Sequence, residues 1–480
     1  MSIQMVTGKP QKPSLVTRIV IYPIIGVFFA VLLSVVFILA NGYRFTYTNG
    51  KVGLLKTGMI IVATRPFDAG ISINGKTYKD RTSFYLLPTK ITNLDPKTYK
   101  VEISKTGYRT WKNSLVVSPN LVTWANYILL FADKLNIVKV NVPVGKVVAR
   151  SDNGRHILFS GATDKYGLKA LDANNLSQKD FWPTATPSET WLVSPQISRA
   201  EFSPSNDRVL VRVVNGTRTE FVIADATASQ VKLIHLNSTL SHDFDDAYWS
   251  RTNNNEIYLL SKGQLYLVNV NDSSFGSPIL SDTVAASVDE SNQILYVTKT
   301  QTGTYSAGKM NLDGSNKTTL VSSVLSSKTF KLGYSSQNNI FTLLSSDTGE
   351  LTAYYVGNTG KKYSIKLSDG VTSFGWSSDG QKLFYWGKNF VKRYDWESGK
   401  EVDVLISDTP TDINWFFDDN HYLVTNSKGI YEMDFDGTNV VPISDTPVAN
   451  FDFDKGNNNI IFATIDVSGA ETFSKYISEF

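Results

Sequence analysis

The sequence predicts an all-β protein behind a single membrane helix, with most of the chain folded as a β-propeller. Three observations predict it. One charge-free apolar segment lies near the N-terminus and nowhere else. The remainder is rich in Val, Ile, Thr, Tyr and Phe, which suit pleated surfaces, and in Asn, Asp, Ser and Gly, which suit the turns between strands. Finally, an aromatic-turn-strand unit recurs about every 40 residues from residue 133 to the end.

The apolar segment runs Ile19 to Ala40, 22 residues without a charge. At 1.5 Å per residue it spans the roughly 30 Å hydrocarbon core of a bilayer. Pro23 falls in its first turns, where a missing N–H costs least. Tyr22 and Tyr43 sit near its two ends as interfacial aromatics do. A cleaved signal peptide would have a shorter apolar core and small residues before the cleavage site. Here Ile38 stands three residues back from the scission that would follow Ala40. The expectation is therefore an uncleaved anchor in the cytoplasmic membrane. Residues 1–18 form its cytoplasmic tail, 19–40 the helix and 41–57 a linker.

Charge supports that placement without fixing orientation. The net charge is +3 and the first acid is Asp68, with seven Lys and Arg residues before it on both flanks of the helix. Such residues are drawn to anionic headgroups. Lys9, Lys12 and Arg18 favour a cytoplasmic N-terminus, although Arg44, Lys51 and Lys56 on the other flank nearly balance them; with the surface-type domain that follows, the expectation is that the remaining domains are extracytoplasmic. The net charge is too small for a nucleic-acid partner. No cysteine is present, which excludes disulfides, thiolate metal sites and cysteine nucleophiles.

Residues 58–132 read as a small β-domain. Gly58 to Thr64 is a β-branched run. Ile71 and Ile73 alternate with polar residues and lead into Asn74-Gly75, a two-residue hairpin turn. Tyr99, Val101 and Ile103 then share one strand face. The pattern Gly58-x-Ile60-x-Val62-x-Thr64-x-Pro66-x-x-Ala69-x-Ile71-x-Ile73-Asn74-Gly75 resembles the opening of a PEGA domain. Its second half is matched by Leu94-x-Pro96-x-x-Tyr99-x-Val101-x-Ile103-x-Lys105-x-Gly107-Tyr108-x-x-Trp111. The chain departs from the family at Phe67-Asp68-Ala69, where the naming motif has Glu-Gly before the alanine. The resemblance implies a β-sandwich of prokaryotic surface proteins, with an envelope location and a binding or spacer role.

The repeats of 133–480 open on Phe202, Trp249, Val288, Tyr334, Trp376, Trp415 and Phe453, after a weaker first copy at Arg150 to Gly154. Successive openings lie 47, 39, 46, 42, 39 and 38 residues apart, the length of a four-stranded blade. Eight blades fit, with seven as the alternative. Leu135 to Val142 is a spare strand that would close the ring by completing the last blade. The region resembles TolB-like and other WD-repeat-like propellers, although no WD dipeptide marks it.

Chemical motifs are sparse. The four histidines, His156, His235, His242 and His421, lack zinc-protease spacing, and no phosphate loop or nucleophile elbow appears. His242-Asp243-Phe-Asp245-Asp246 reads as a solvated loop before a metal site. Asp434-x-Asp436-Gly437-x-Asn439 reads as a strand-connecting turn before a calcium loop, because Asn311-x-Asp313-Gly314-x-Asn316 repeats it. The tryptophans that open repeats read as inter-blade packing before sugar stacking. No cofactor and no metal are expected.

One binding candidate remains. Asp282, Asp369, Asp408 and Asp445 each follow a Ser and precede a repeat aromatic, and Asp243 holds a similar place before Trp249. Capping of the local turn by Ser-Asp is the first explanation. The alternative is a ring of carboxylates around one channel mouth, a negative funnel for cations or a basic partner. The functional expectation is a membrane-anchored, non-enzymatic binding or scaffold protein of the cell envelope, recognising a protein or a glycan. Its alternatives are a propeller enzyme such as a glycosidase, which needs two carboxylates in one pocket, and an envelope assembly factor resembling TolB.

Overall fold

The computed structural model describes residues 15, 17–40, 42–48, 51–79, 88–151, 154–161, 167–182, 196–272, 274–289, 291–324, 329–356, 361–404, 406, 408–454, 459–465 and 471–477. Most of the N-terminal tail, with Lys9 and Lys12, lies outside them, as do parts of the turns after Arg150 and Phe453. The chain divides into two units, Met1–Asp133 and Lys134–Phe480.

In the first unit a π-helical turn, Thr17–Ile21, leads into an α-helix, Tyr22–Ala40. Ile24, Phe28, Leu33 and Phe37 are all exposed by more than 60%. A helix that is apolar all round and buries none of that surface in its own protein needs an apolar surrounding. It fits a single-pass membrane anchor, being long and apolar enough to cross over Arg18–Leu39. The stretch expected as a linker is not extended chain: Tyr43–Thr48 pairs antiparallel with Lys51–Lys56, with Tyr43 opposite Lys56. Its alternation of Tyr43, Phe45 and Tyr47 with Arg44 and Thr46 is a strand signal that is too short to read without its partner.

A two-sheet sandwich follows. One sheet pairs Gly58–Arg65 with Thr89–Leu94 on one side and, in parallel, with Val122–Leu129 on the other. The second has the order Lys76–Lys79, Gly70–Ile73, Lys97–Ser104, Trp111–Val117. Ile60, Val62, Ile71, Val101, Ile103 and Trp111 are buried between them. Asn74 and Gly75 both have positive φ, 48° and 81°, as the two-residue turn requires. Gly58 is needed for a different reason: a Cβ there would lie 2.5 Å from the Ser118 carbonyl oxygen.

The second unit is an eight-bladed propeller. Blades 2 and 4 to 7 are separate four-stranded antiparallel sheets, whose inner strands are Gln196–Phe202, Thr283–Val288, Phe330–Ser335, Val371–Trp376 and Asp412–Trp415. Blade 3 keeps three strands from Asp246–Trp249 onward, and its fourth is reduced to a Leu265–Leu280 bridge. Blades 1 and 8 share a seven-stranded sheet through one long strand, Ile137–Arg150. Residues 137–144 pair with Glu471–Ile477 as the outer strand of blade 8, and 144–150 pair with His156–Gly161 as the inner strand of blade 1. The spare strand read from the sequence therefore closes the ring. Val140, Val142, Val144, Phe159, Ile461 and Phe473 form one buried cluster across that junction.

The repeat unit has a physical cause at each position. The opening aromatic ends the inner strand. Trp249 donates its indole N–H to the Glu201 carbonyl of blade 2 at 3.1 Å. Trp376 donates to Thr342 Oγ1 of blade 5 at 3.0 Å, and Trp415 to the Gly375 carbonyl of blade 6 at 3.3 Å. Each tryptophan thus pegs its blade to the preceding one. The serine after the aromatic holds the turn: Ser203 Oγ accepts from Arg208 N and Ser377 Oγ from Lys382 N. Four residues past Phe202, Val288, Trp376 and Trp415 the backbone is left-handed, at Asn206, Asn292, Gly380 and Asp419, where Asn, Gly and Asp adopt that conformation most readily.

Candidate functional site at one end of the propeller

In an antiparallel four-stranded blade, the connection into the next inner strand and the hairpin between strands two and three emerge at the same end. Asp243, Asp282, Asp369, Asp408 and Asp445 all lie in the former connection, entering blades 3, 4, 6, 7 and 8. The structure thus brings all five to one end of the propeller. It does not make that end a purely negative funnel. Both Asp408 oxygens lie 2.9 Å from Lys428 Nζ, which comes from the second hairpin of blade 7. Asp369 lies 2.8 Å from Lys366 Nζ. The rim is of mixed sign because Lys428, from the second hairpin of blade 7, and Lys366, from the outer strand of blade 5, come up beside the aspartates. Asp282 occupies a left-handed position at φ 57°. At Asp445 the neighbouring Ser444 does the capping, accepting from Thr446 N at 3.2 Å.

Asp243 lies on a groove of about 350 Å³ at the same end, with Arg218, Asn237, Ser241, His242 and Lys262. Arg218 and Lys262 come from the second hairpins of blades 2 and 3. A short helical turn, Leu236–Thr239, which sequence periodicity did not show, places Asn237. His242 Nε2 shares a 2.9 Å hydrogen bond with Ser261 Oγ. The acids of this run separate: Asp245 accepts from Lys262 N, while Asp246 faces Arg199.

The inner strands begin at this end, and they carry charges that sequence reading passed over. Arg199 of blade 2 reaches Asp246 of blade 3 at 2.8 Å and its own neighbour Glu201 at 3.2 Å, while stacking 4.5 Å over Tyr248. Burial works against the Arg199 charge, but Asp246 and Glu201 outweigh it and hold the guanidinium protonated. Lys331 of blade 5 donates to the Phe374 carbonyl and Ser373 Oγ of blade 6, and burial weakens its ammonium. Burial raises the Asp412 carboxyl of blade 7, against the opposing pull of Arg150 from blade 1 and of Lys331. Arg150 in turn donates to the Phe451 carbonyl of blade 8 at 2.7 Å. These groups tie neighbouring inner strands around the axis. The sequence signal would have been a charged residue inside a strand that otherwise alternates with apolar ones.

Residues 57–130 match the PEGA domain family. The PEGA match covers the sandwich and a minor part of the chain; the propeller is assigned from its own sheets. No curated protein matches the chain. Similar solved structures are the C-terminal WD40 domain of Sif2, at 12% identity over 71% of this chain and 98% of that one, and a eukaryotic initiation factor, at 9% over 72% and 91%. A third is the dihydro-heme d1 dehydrogenase NirN, at 10% over 71% and 78%. All three have a TM-score of 0.47. Beside the PEGA match, the sandwich exposes Val116 on one strand, Leu121 in the turn that follows and Trp124 on the next strand, with Thr123 Oγ1 donating to the Val116 carbonyl at 2.7 Å.

Proposed function

We propose that the chain is a membrane-anchored binding or scaffold protein of the cell envelope, without catalytic activity, that grips a protein partner with the mixed-charge end of the propeller. The observation that carries this reading is the convergence there of five loop aspartates with Lys428, Lys262 and Arg218. Paired charges of both signs suit a partner of complementary pattern, giving specificity and encounter rate more than raw affinity. The groove holding Arg218, Lys262 and Asp243 favours an acidic side chain. Val116, Leu121 and Trp124 supply a second, apolar contact.

Pull-down from solubilised membranes with the full chain tests this. Changing Asp282, Asp369, Asp408 and Asp445 to Asn keeps polar side chains and removes four charges. Recovery of the partner is expected to fall at least fivefold with the melting temperature within about 2 °C. Undiminished capture, or a melt lowered in step with capture, would sink the reading. The enzyme alternative rests on Asp412, whose carboxyl is pushed toward its protonated form. Hydrolysis of chromogenic glycosides that is abolished in Asp412→Asn would favour it.

A further inference from the structure

At the other end of blade 7 lies a cluster that the rim reading does not use. His421 opens the second strand and Asp434 closes the third, and the two are direct cross-strand partners. Glu432 stands two residues before Asp434 and so shares its face of the sheet. Tyr422, Val424 and Met433, on the opposite face, pack with Phe384 and Trp386 of blade 6. The cluster therefore faces the blade 8 side. His421 is 0% exposed, Glu432 1% and Asp434 2%.

Their donor atoms converge. His421 Nε2 lies 3.2 Å from Asp434 Oδ1 and 3.8 Å from Glu432 Oε1, and all three atoms lie within 4.8 Å of one another. The far side of two of them is already held. His421 Nδ1 is 2.7 Å from Asp418 Oδ2, and Asp434 Oδ2 accepts from Asn439 Nδ2 at 2.9 Å. Glu432 Oε1 is different: it is fully buried, is aimed at the histidine and has no hydrogen-bond partner. A carboxylate oxygen left so in a protein interior costs about 1–3 kcal/mol or more.

At this position blade 1 also carries a histidine, His156 opposite Asp172, and two other blades carry a permanent cation. Arg208 pairs with Asp225 across the same two strands of blade 2, and Lys382 stands opposite Asp395 in blade 6. There a permanent cation meets one carboxylate. In blade 7 an imidazole meets three, from Asp418, Glu432 and Asp434. Among the described residues neither Asp418 nor Glu432 pairs with a lysine or arginine.

We propose that His421 Nε2, Glu432 Oε1 and Asp434 Oδ1 bind one divalent transition-metal ion, with zinc the best fit, as a structural site that locks blade 7. Ligands about 2.1 Å from zinc in a tetrahedron stand about 3.4 Å apart, close to the two separations from Nε2. One nitrogen with two carboxylates is a zinc-type set, whereas calcium requires six to eight oxygens. Asp418 would then be the outer carboxylate that fixes the imidazole tautomer, leaving Nε2 its lone pair.

The test uses the full chain in detergent, stripped with chelator and titrated with zinc sulfate, with cobalt chloride as a spectroscopic probe and calcium chloride as the counter-probe. One tight equivalent of zinc, a higher melting temperature and cobalt d–d absorption are expected. Glu432→Gln should weaken zinc at least tenfold, and Asp418→Asn by ten- to a hundredfold. Asp436→Asn, in the same turn but outside the donor set, should leave binding unchanged. Stripped Glu432→Gln should melt no lower than the stripped parent, because a buried charge has been removed. A lost zinc response would then not be lost folding. No saturable zinc uptake would overturn the proposal, with Glu432 then carrying a proton beside a His421–Asp434 ion pair. So would equal zinc binding by Glu432→Gln, or binding of calcium in place of zinc.

Discussion

Single residues set the spacing of the blades. Trp249, Trp376 and Trp415 each fill an inter-blade position and spend their one polar atom on the preceding blade. Trp249→Phe keeps most of the apolar burial and loses the bond. It is expected to lower stability by about 1 kcal/mol in urea unfolding of the full chain. Asp225 shows how a buried charge couples the fold to pH. Burial would raise its carboxyl, but hydrogen bonds from Thr227 and the Arg208 guanidinium at 2.9 Å hold it below the ordinary range. Its folded value lies below its unfolded one, so the stability it adds is complete above the usual carboxylate range. That contribution is lost as pH falls through the folded value. The urea midpoint should therefore drop as pH falls into and below the usual carboxylate range, and Asp225→Asn should flatten part of that drop. The aromatic positions were legible in the sequence because a peg must recur with each blade. Arg199, Lys331 and Asp412 were not, since which face of an inner strand looks to its neighbours depends on the assembled ring.

Elements show the same division. The helix, the Asn74-Gly75 hairpin and the left-handed turns at Asn206, Gly380 and Asp419 are local, and composition reveals them. The hairpin of 43–56 was hidden because two six-residue strands next to a membrane helix look like a linker. The His421–Glu432–Asp434 cluster was hidden by separation: eleven and thirteen residues part its members in sequence. Folding the hairpin His421–Asn426 onto Gly429–Asp434 on paper would have put His421 opposite Asp434. Among the described strands, 137–150 is the one shared by two blades. Val140 and Val142 bury their side chains in the cluster that joins blades 1 and 8. Val140→Asp places an unpaired charge there and should cost at least about 3 kcal/mol. Limited proteolysis is expected to cut first near the two ends of the ring, and an unchanged cleavage pattern would count against closure by this strand.

At the scale of the molecule, the sandwich and the propeller each have their own core. A fragment of residues 134–480 is expected to melt in one cooperative transition. A featureless melt would show that it depends on the first unit. The blade count was legible from average repeat length, since eight copies over 348 residues leave 43.5 each. The sign of the rim was not, because the lysines that neutralise Asp369 and Asp408 sit outside the motif that carries the aspartates. If the anchor remains attached with the larger units outside, protease added to intact spheroplasts should remove everything beyond about Gly42. Full protection would reverse the topology.

The shared strand also imposes a timetable. Residues 137–144 are made before any blade, yet their partner is Glu471–Ile477, near the end of the chain. More than 300 residues separate the two, which at about 5–20 residues per second is roughly 15 to 70 seconds of synthesis. Throughout that interval the first half of the strand carries an unpaired edge, the state in which β-structure recruits foreign strands. A chain interrupted in blade 8 would retain seven blades and keep that edge open. In this propeller the arrival of Glu471–Ile477 ends the period of greatest exposure to misassembly.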